Sequence, residues 1–238
     1  MNIRILILIA SLTGISALNA QDRFTSQPVI WFTATEQLIF NDYWNAKFNV
    51  QQRQFIETKG SFQFLVSGTL DRRVSKKLSV GAGLMFFDFR TTNPNSDLID
   101  LPELRTYEYI AANFTVGATK MYGRLLLEQR FQKWLTTEGD VGKNYRLNHR
   151  LRLKWQATIP IGEKLSAIVS DEPMINFGPD IVNNTFDQNR LIFMASYKIS
   201  DRLSVGSGYM NWIFQRSSGN SFDIRHVWLI QLSHQFNL

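Results

Sequence analysis

The sequence predicts an all-β protein, a transmembrane antiparallel β-barrel of about 10 strands, or 12 on the alternative count, with short turns at one rim and longer loops at the other. Three observations predict it. Residues 145–157, YRLNHRLRLKWQA, alternate strictly: Arg146, Asn148, Arg150, Arg152, Lys154 and Gln156 share one face, and Tyr145, Leu147, His149, Leu151, Leu153 and Trp155 the other. A soluble strand alternates over roughly five or six residues, whereas this ribbon is long enough to cross a bilayer as a tilted strand, which needs about 9–11. Period-two segments recur along the chain while helical i, i+3, i+4 stripes are nearly absent. The connections, finally, fall into two classes. VSKKLS (74–79), VGATKM (116–121), PIGEKLS (160–166) and ISDRLS (199–204) are tight, and from residue 60 onward they alternate with the looser 90–103, 135–144, 176–186 and 215–221. A soluble sandwich has no reason to segregate its loop lengths in this way. It is the fold-level alternative only if the apolar faces are buried against a second sheet.

The chain opens on MNIRILILIASLTGISALNA, in which Arg4 is a positive n-region, Ile5 to Leu12 a short apolar core, and small residues lead to Ala20. This predicts a secretory signal peptide over residues 1–20, with cleavage after Ala17 as the alternative because Leu18 is not small, and a single barrel domain over 21–238. Removal of the leader takes Arg4 alone, so the net charge of +6 becomes +5. With no Cys there is no disulfide framework, thiol nucleophile or acylated anchor. No later segment approaches 18 consecutive apolar residues, so no membrane helix is predicted. Nothing resembles a nucleic-acid-binding motif.

Strands are expected near 28–40, 43–55, 61–73, 78–89, 104–117, 120–134, 144–159, 164–175, 188–199, 203–214 and 222–237. Bacterial single-chain barrels have even counts. The expectation is therefore that 28–40 is an extension outside a ten-strand barrel, or supplies two short strands to one of twelve. In 43–55, Lys47 and Arg53 share the polar face against Trp44, Phe48 and Val50; in 61–73, Phe62, Phe64, Val66 and Leu70 are assigned to lipid. In 120–134, Arg124, Glu128 and Arg130 oppose Leu125, Leu127 and Phe131, and in 188–199 Arg190 and Lys198 oppose Leu191, Phe193 and Tyr197. The segments 104–117 and 203–214 alternate poorly, which predicts bulges or displaced strand boundaries there. SKKLSVGAGLMFF (75–87) repeats as SDRLSVGSGYMNW (200–212), a tight turn feeding a strand, with Gly81/Gly83 and Gly206/Gly208 on alternate positions. Trp31, Trp44, Tyr107, Tyr109, Trp134, Tyr145, Trp155 and Trp228 are candidates for interfacial girdles. The terminal HVWLIQLSHQFNL is similar to the signal read by the outer-membrane insertion machinery, although it ends on Leu238 rather than an aromatic.

The opening VIWFTATEQL, the strand LLLEQRFQKW, the Arg-rich YRLNHRLRLKW, the QNR at 188–190 and the terminal strand together resemble the outer-membrane family catalogued as domain of unknown function 2490, found chiefly in Bacteroidota. The resemblance spans essentially all of the chain after the leader. It implies a β-barrel of unassigned function and lends no active site.

The constellation singled out as functional is the inward ionisable set: Lys47, Arg53, Arg124, Glu128, Arg130, Arg150, Arg152, Lys154, Glu172, Arg190 and Lys198. Nine are basic and two acidic. Either Glu128 and Glu172 bridge the arginines into a packed polar core, or the cations line a narrow anion-preferring pathway. A barrel near eight strands fills with side chains and one near 16 holds water, so about ten to twelve strands leave both open. Of the histidines, Ser233 and His234 point to opposite faces and form no nucleophile–base pair. His149, outward, lacks an outward Ser for an acyl hydrolase. Asp97, Asp100 and Glu103 lie in one expected loop without a calcium-loop spacing. No P-loop, GxGxxG or HExxH is present. The expectation is a non-enzymatic outer-membrane barrel of a Gram-negative bacterium without a cofactor. Its partners would be membrane lipid and the insertion machinery, and its role structural or ligand-binding through its loops. A narrow anion channel is the alternative and a lipid-modifying enzyme a distant third.

Overall fold

The computed structural model describes residues 23–57, 61–92 and 98–238; the expected leader lies outside them. Eleven strands follow in order: β1 (Arg23–Ile39), β2 (Trp44–Phe55), β3 (Ser61–Arg73), β4 (Leu78–Thr92), β5 (Leu98–Val116), β6 (Thr119–Gln132), β7 (Arg146–Pro160), β8 (Leu165–Phe177), β9 (Phe186–Lys198), β10 (Leu203–Gln215) and β11 (Ser221–Asn237). Each pairs antiparallel with its chain neighbours, and β1 closes the barrel by pairing in parallel with β11, Arg23 opposite Ser221 through to Ile39 opposite Asn237.

The count corrects the preference for ten. Going round a closed ring with every junction antiparallel requires an even number, so eleven strands demand one parallel junction, here the seam. Segment 28–40 is therefore neither an extension nor two short strands but most of one 17-residue strand. Its alternation runs unbroken, with Val29 and Trp31 buried and Phe32 exposed, so nothing interrupts pairing along either edge. The chain consequently enters the barrel at the long-loop rim and leaves it at the short-turn rim.

The turns explain the sequence repeat. Ser75 Oγ accepts the backbone N–H of Leu78 at 3.1 Å, and Ser200 Oγ does the same for Leu203 at 3.1 Å. The serine of each S-x-x-L run thus satisfies a donor the ladder leaves free. Gly117 takes a φ of 59° in the two-residue turn between β5 and β6, the left-handed geometry a tight hairpin needs.

The glycine pairs have a packing cause. Gly81 lies opposite Tyr109 and Gly83 opposite Tyr107 across the β4–β5 ladder. A Cβ on either would stand 2.5 Å from the facing ring. The rings lie over the glycines inside the barrel, and the Tyr107 and Thr69 hydroxyls bond at 2.6 Å.

Apolar residues face outward as expected, with Leu84 60%, Ile110 54% and Phe48 52% exposed, the inverse of a soluble β-protein and the pattern of a wall set in lipid. Several assignments change. Trp31, Tyr107 and Tyr109 are buried inside rather than in a girdle, while Trp44, Tyr145, Trp155 and Trp228 are exposed. Phe62 is also inside: a register shift at Arg53/Gln54 adds a residue to β3 there and turns its ring into a cluster with Trp31 and Trp212. β5 and β10 carry no register shift. Their weak alternation has another source, the inward apolar side chains of Tyr107, Tyr109, Met210 and Trp212.

Candidate functional site

Side chains on the inward faces of β5 to β9 interlock in the lumen, with Asp187 of β9 turned inward by a register shift at Met174/Ile175 that leaves it as an extra residue, off the parity of Gln188 and Arg190. Glu128 of β6, fully buried, accepts from Arg150 Nε at 2.7 Å and from Arg152 Nη1 at 2.7 Å, with Arg105 Nη1 at 3.7 Å. Glu172 of β8 receives Arg152 at 2.8 Å and Arg124 at 2.8 Å. Glu103 of β5 receives Arg105 at 2.7 Å and Arg130 at 2.6 Å, and Asp187 of β9 receives Arg150 at 2.8 Å. The result is a continuous lattice of five arginines and four carboxylates, tying five consecutive strands across the interior. Buried ions of this kind hold only where each finds opposite charge and hydrogen bonds, because the desolvation penalty is several kcal/mol per ion. The β6–β7 register sets Glu128 directly opposite Arg150 and Arg124 opposite Lys154.

Apolar side chains fill much of the remaining interior: Val29, Met210 and Val227 pack with Trp31, Phe62 and Trp212, and Leu126 with Tyr107 and Tyr109, all buried. Cavities remain on either side. One of about 250 Å³ lies toward the long-loop rim; others of about 180 and 380 Å³ lie toward the short-turn rim, and no residue lines both sides.

Arg53, Arg190 and Arg225 make no ion pair with the lattice among the described residues, and line the 250 Å³ cavity together with Glu103, Arg105, Arg130, Arg150 and Asp187 of the lattice. All three guanidinium groups lie near the ring of Trp212, at 5.6, 5.0 and 4.8 Å from its centroid. Arg53 also stacks on Trp31 at 3.5 Å. The hydrogen-bond partners of Arg53 and Arg190 are neutral amides, while Arg225 lies among the rings of Phe55, Phe62, Trp212 and Phe214. Arg53 donates to Gln63 at 2.6 Å and Gln51 at 2.8 Å, and Arg190 to Gln188 at 3.0 Å, whose oxygen also receives Trp212 Nε1 at 2.6 Å.

Of the set singled out in the sequence, Arg124, Glu128, Arg130, Arg150, Arg152 and Glu172 join the lattice, and Arg53 and Arg190 line the cavity. Lys154 shares their face without an ion pair among the described residues. Lys47 pairs with buried Asp71 at 3.2 Å and Lys198 with exposed Asp201 at 2.6 Å, both at the short-turn rim and remote from the rest. The Lys198 hydrogen bond holds the Asp201 carboxyl below the usual carboxylate range.

Sequence reasoning missed Glu103, Arg105, Asp187 and Arg225. The sequence pattern puts Glu103 in one expected loop with Asp97 and Asp100. β5 in fact begins at Leu98, carrying Glu103 inward and Asp100 outward, where it pairs with Arg90 at 2.7 Å; Asp97 lies outside the described residues. The signal was present in Glu103, Arg105, Tyr107 and Tyr109 on one parity, masked by the tyrosines. On the outer wall His149 stacks on Phe177 at 5.3 Å. Its cross-strand neighbour Gln129 is engaged by Thr106 at 2.5 Å and Glu108 at 2.9 Å. Ser233 bonds Gln231 on the lumen face while His234 bonds Glu36 outside. No cluster of three metal-ligating residues exists among the described residues.

A closed wall, antiparallel but for its seam, with an apolar exterior, a charged interior and loops sorted by length defines a β-barrel of the outer-membrane type. The chain belongs to a family described as a protein of unknown function (DUF2490), which matches residues 29–223. No curated protein matches the sequence. Among solved structures it is similar to in-vitro folded OmpT, an outer membrane protein of Vibrio cholerae, with a TM-score of 0.43, 14% identity, and coverage of 78% of this chain and 56% of that one. It thus spans just over half the length of that protein.

Proposed function

We propose that this protein is a non-enzymatic outer-membrane barrel of a Gram-negative bacterium, closed to ion flow, that binds a ligand on its long-loop side. The single observation that carries the reading is the arginine–carboxylate lattice around Glu128, buried inside the barrel along β5 to β9, with separate cavities toward the two rims. An ion pathway needs a continuous wet route, whereas fixed, mutually paired charges in a packed section favour a plug. The cations left over line the cavity next to the longer loops, the extracellular side in barrels of this plan. The exposed apolar wall requires membrane lipid around it, and the terminal strand supplies the sequence signal for the insertion machinery.

Planar-bilayer recording of the refolded full chain tests this. The expected result is no unitary conductance, from a sample whose heat-modifiable gel migration shows a folded barrel. Discrete anion-selective steps, weakened by Arg150→Glu with Arg152→Glu, would establish the channel instead.

A further inference from the structure

The cup at the long-loop rim holds cations the fold does not neutralise. Its lining residues sit close to the long-loop ends of their strands: Phe89 near the end of β4, Leu101 near the start of β5, Phe214 near the end of β10 and Arg225 near the start of β11. Arg53, Arg190 and Arg225 meet there around one indole, and none has a carboxylate at ion-pair distance among the described residues. The cation–π contacts satisfy the flat faces of the guanidinium groups but leave their N–H edges. The Nε of each is buried without a hydrogen-bond partner, in side chains that for Arg53 and Arg225 are more than nine-tenths buried. Three like charges desolvated together, Arg53 and Arg190 held by neutral glutamine oxygens and Arg225 by aromatic rings, are costly unless something anionic completes them.

On this basis, and resting on the closed-barrel reading above, we propose that the cup is a binding site for a small polyanion bearing two or more acidic oxygens, a phosphorylated or multiply carboxylated molecule. Arginine edges match both chemistries, since a planar fork donates two parallel hydrogen bonds to a carboxylate or phosphate group. A monoanion would leave at least one guanidinium uncompensated. A lipid headgroup in the surrounding bilayer faces the outer wall, so the ligand is a soluble one that enters from the long-loop side.

Tryptophan fluorescence reads the site directly, because Trp31 and Trp212 lie against the three arginines. The refolded full chain in detergent is titrated at constant ionic strength with inorganic pyrophosphate, with citrate and with acetate. The expected result is a saturable change with pyrophosphate, citrate or both, and none with acetate. Saturation by pyrophosphate alone assigns phosphorylated ligands, and by citrate alone polycarboxylates. Arg225→Gln and Arg190→Gln, each checked for heat-modifiable migration, are expected to weaken binding about tenfold or more. Lys198→Gln, at the opposite rim, leaves it unchanged. Failure of both polyanions to saturate, or an equal response to acetate, overturns the proposal; so does unaltered affinity in both folded arginine variants. These outcomes are independent of the bilayer recording. A conducting barrel that still binds pyrophosphate refutes the plug and keeps the site, while a silent barrel that binds neither polyanion does the reverse.

Discussion

Glu128 ties together more of the interior than any other carboxylate among the described residues, because three arginines share its two oxygens and its side chain is fully buried. Glu128→Gln keeps the shape and removes the charge. Breaking a buried pair from one side costs about 3–5 kcal/mol, so the urea midpoint of the refolded barrel is expected to fall substantially. Lys198→Gln removes an ion pair of which both partners are exposed, and its midpoint is expected not to move, as for surface pairs generally. Glu128, Arg150 and Glu172 were legible in the sequence because they sit on strands whose opposite face is plainly apolar. Asp187 was not, since the parity of Gln188 and Arg190 would turn it outward, and only the extra residue at the β8–β9 register shift brings it into the lumen. Arg225 was hidden differently: its face of β11 continues into Val227 and Leu229, so an inward stripe reads as apolar.

Among the elements, β4 and β5 behave as a fitted pair. The absent side chain of Gly81 makes room for Tyr109, and the contact is to a side chain alone. Gly81→Ala is therefore expected to lower the denaturation midpoint, and Tyr109→Ala in the same chain to recover part of the loss. A double-mutant cycle measures this as non-additivity, whereas simple addition of the two effects would mean that the ring is not what the glycine accommodates. The repeat that contains Gly81 was visible in the sequence, but its purpose was not. It depends on which residue of the next strand lies opposite, and register is a property of the pair. The inward turn of Phe62 has the same origin, one extra residue in β3 relative to β2.

At the scale of the whole molecule, the parallel seam sets the two ends of the barrel at opposite rims, residue 26 near the long loops and residue 237 near the short turns. The chain has no Cys, so single introduced thiols report topology cleanly. Ser26→Cys and Ser217→Cys are expected to react with a membrane-impermeant maleimide on intact cells, and Asn237→Cys only after the outer membrane is opened. Equal protection of residues 26 and 237 would show an even-stranded barrel in which β1 is not part of the wall. The sequence by itself determined that the chain is all β, where most strands run, which face is apolar, and that the other is dominated by arginine. These follow from period-two alternation and loop lengths, local properties that each segment carries alone. Only the tertiary structure decided that the strands number eleven, that the ring closes in parallel, that four carboxylates lock the middle of the lumen, and that three arginines remain unneutralised around Trp212. Closure and charge pairing join residues far apart in the chain, and whether a cation finds its carboxylate is settled by the register of strands that no single segment encodes.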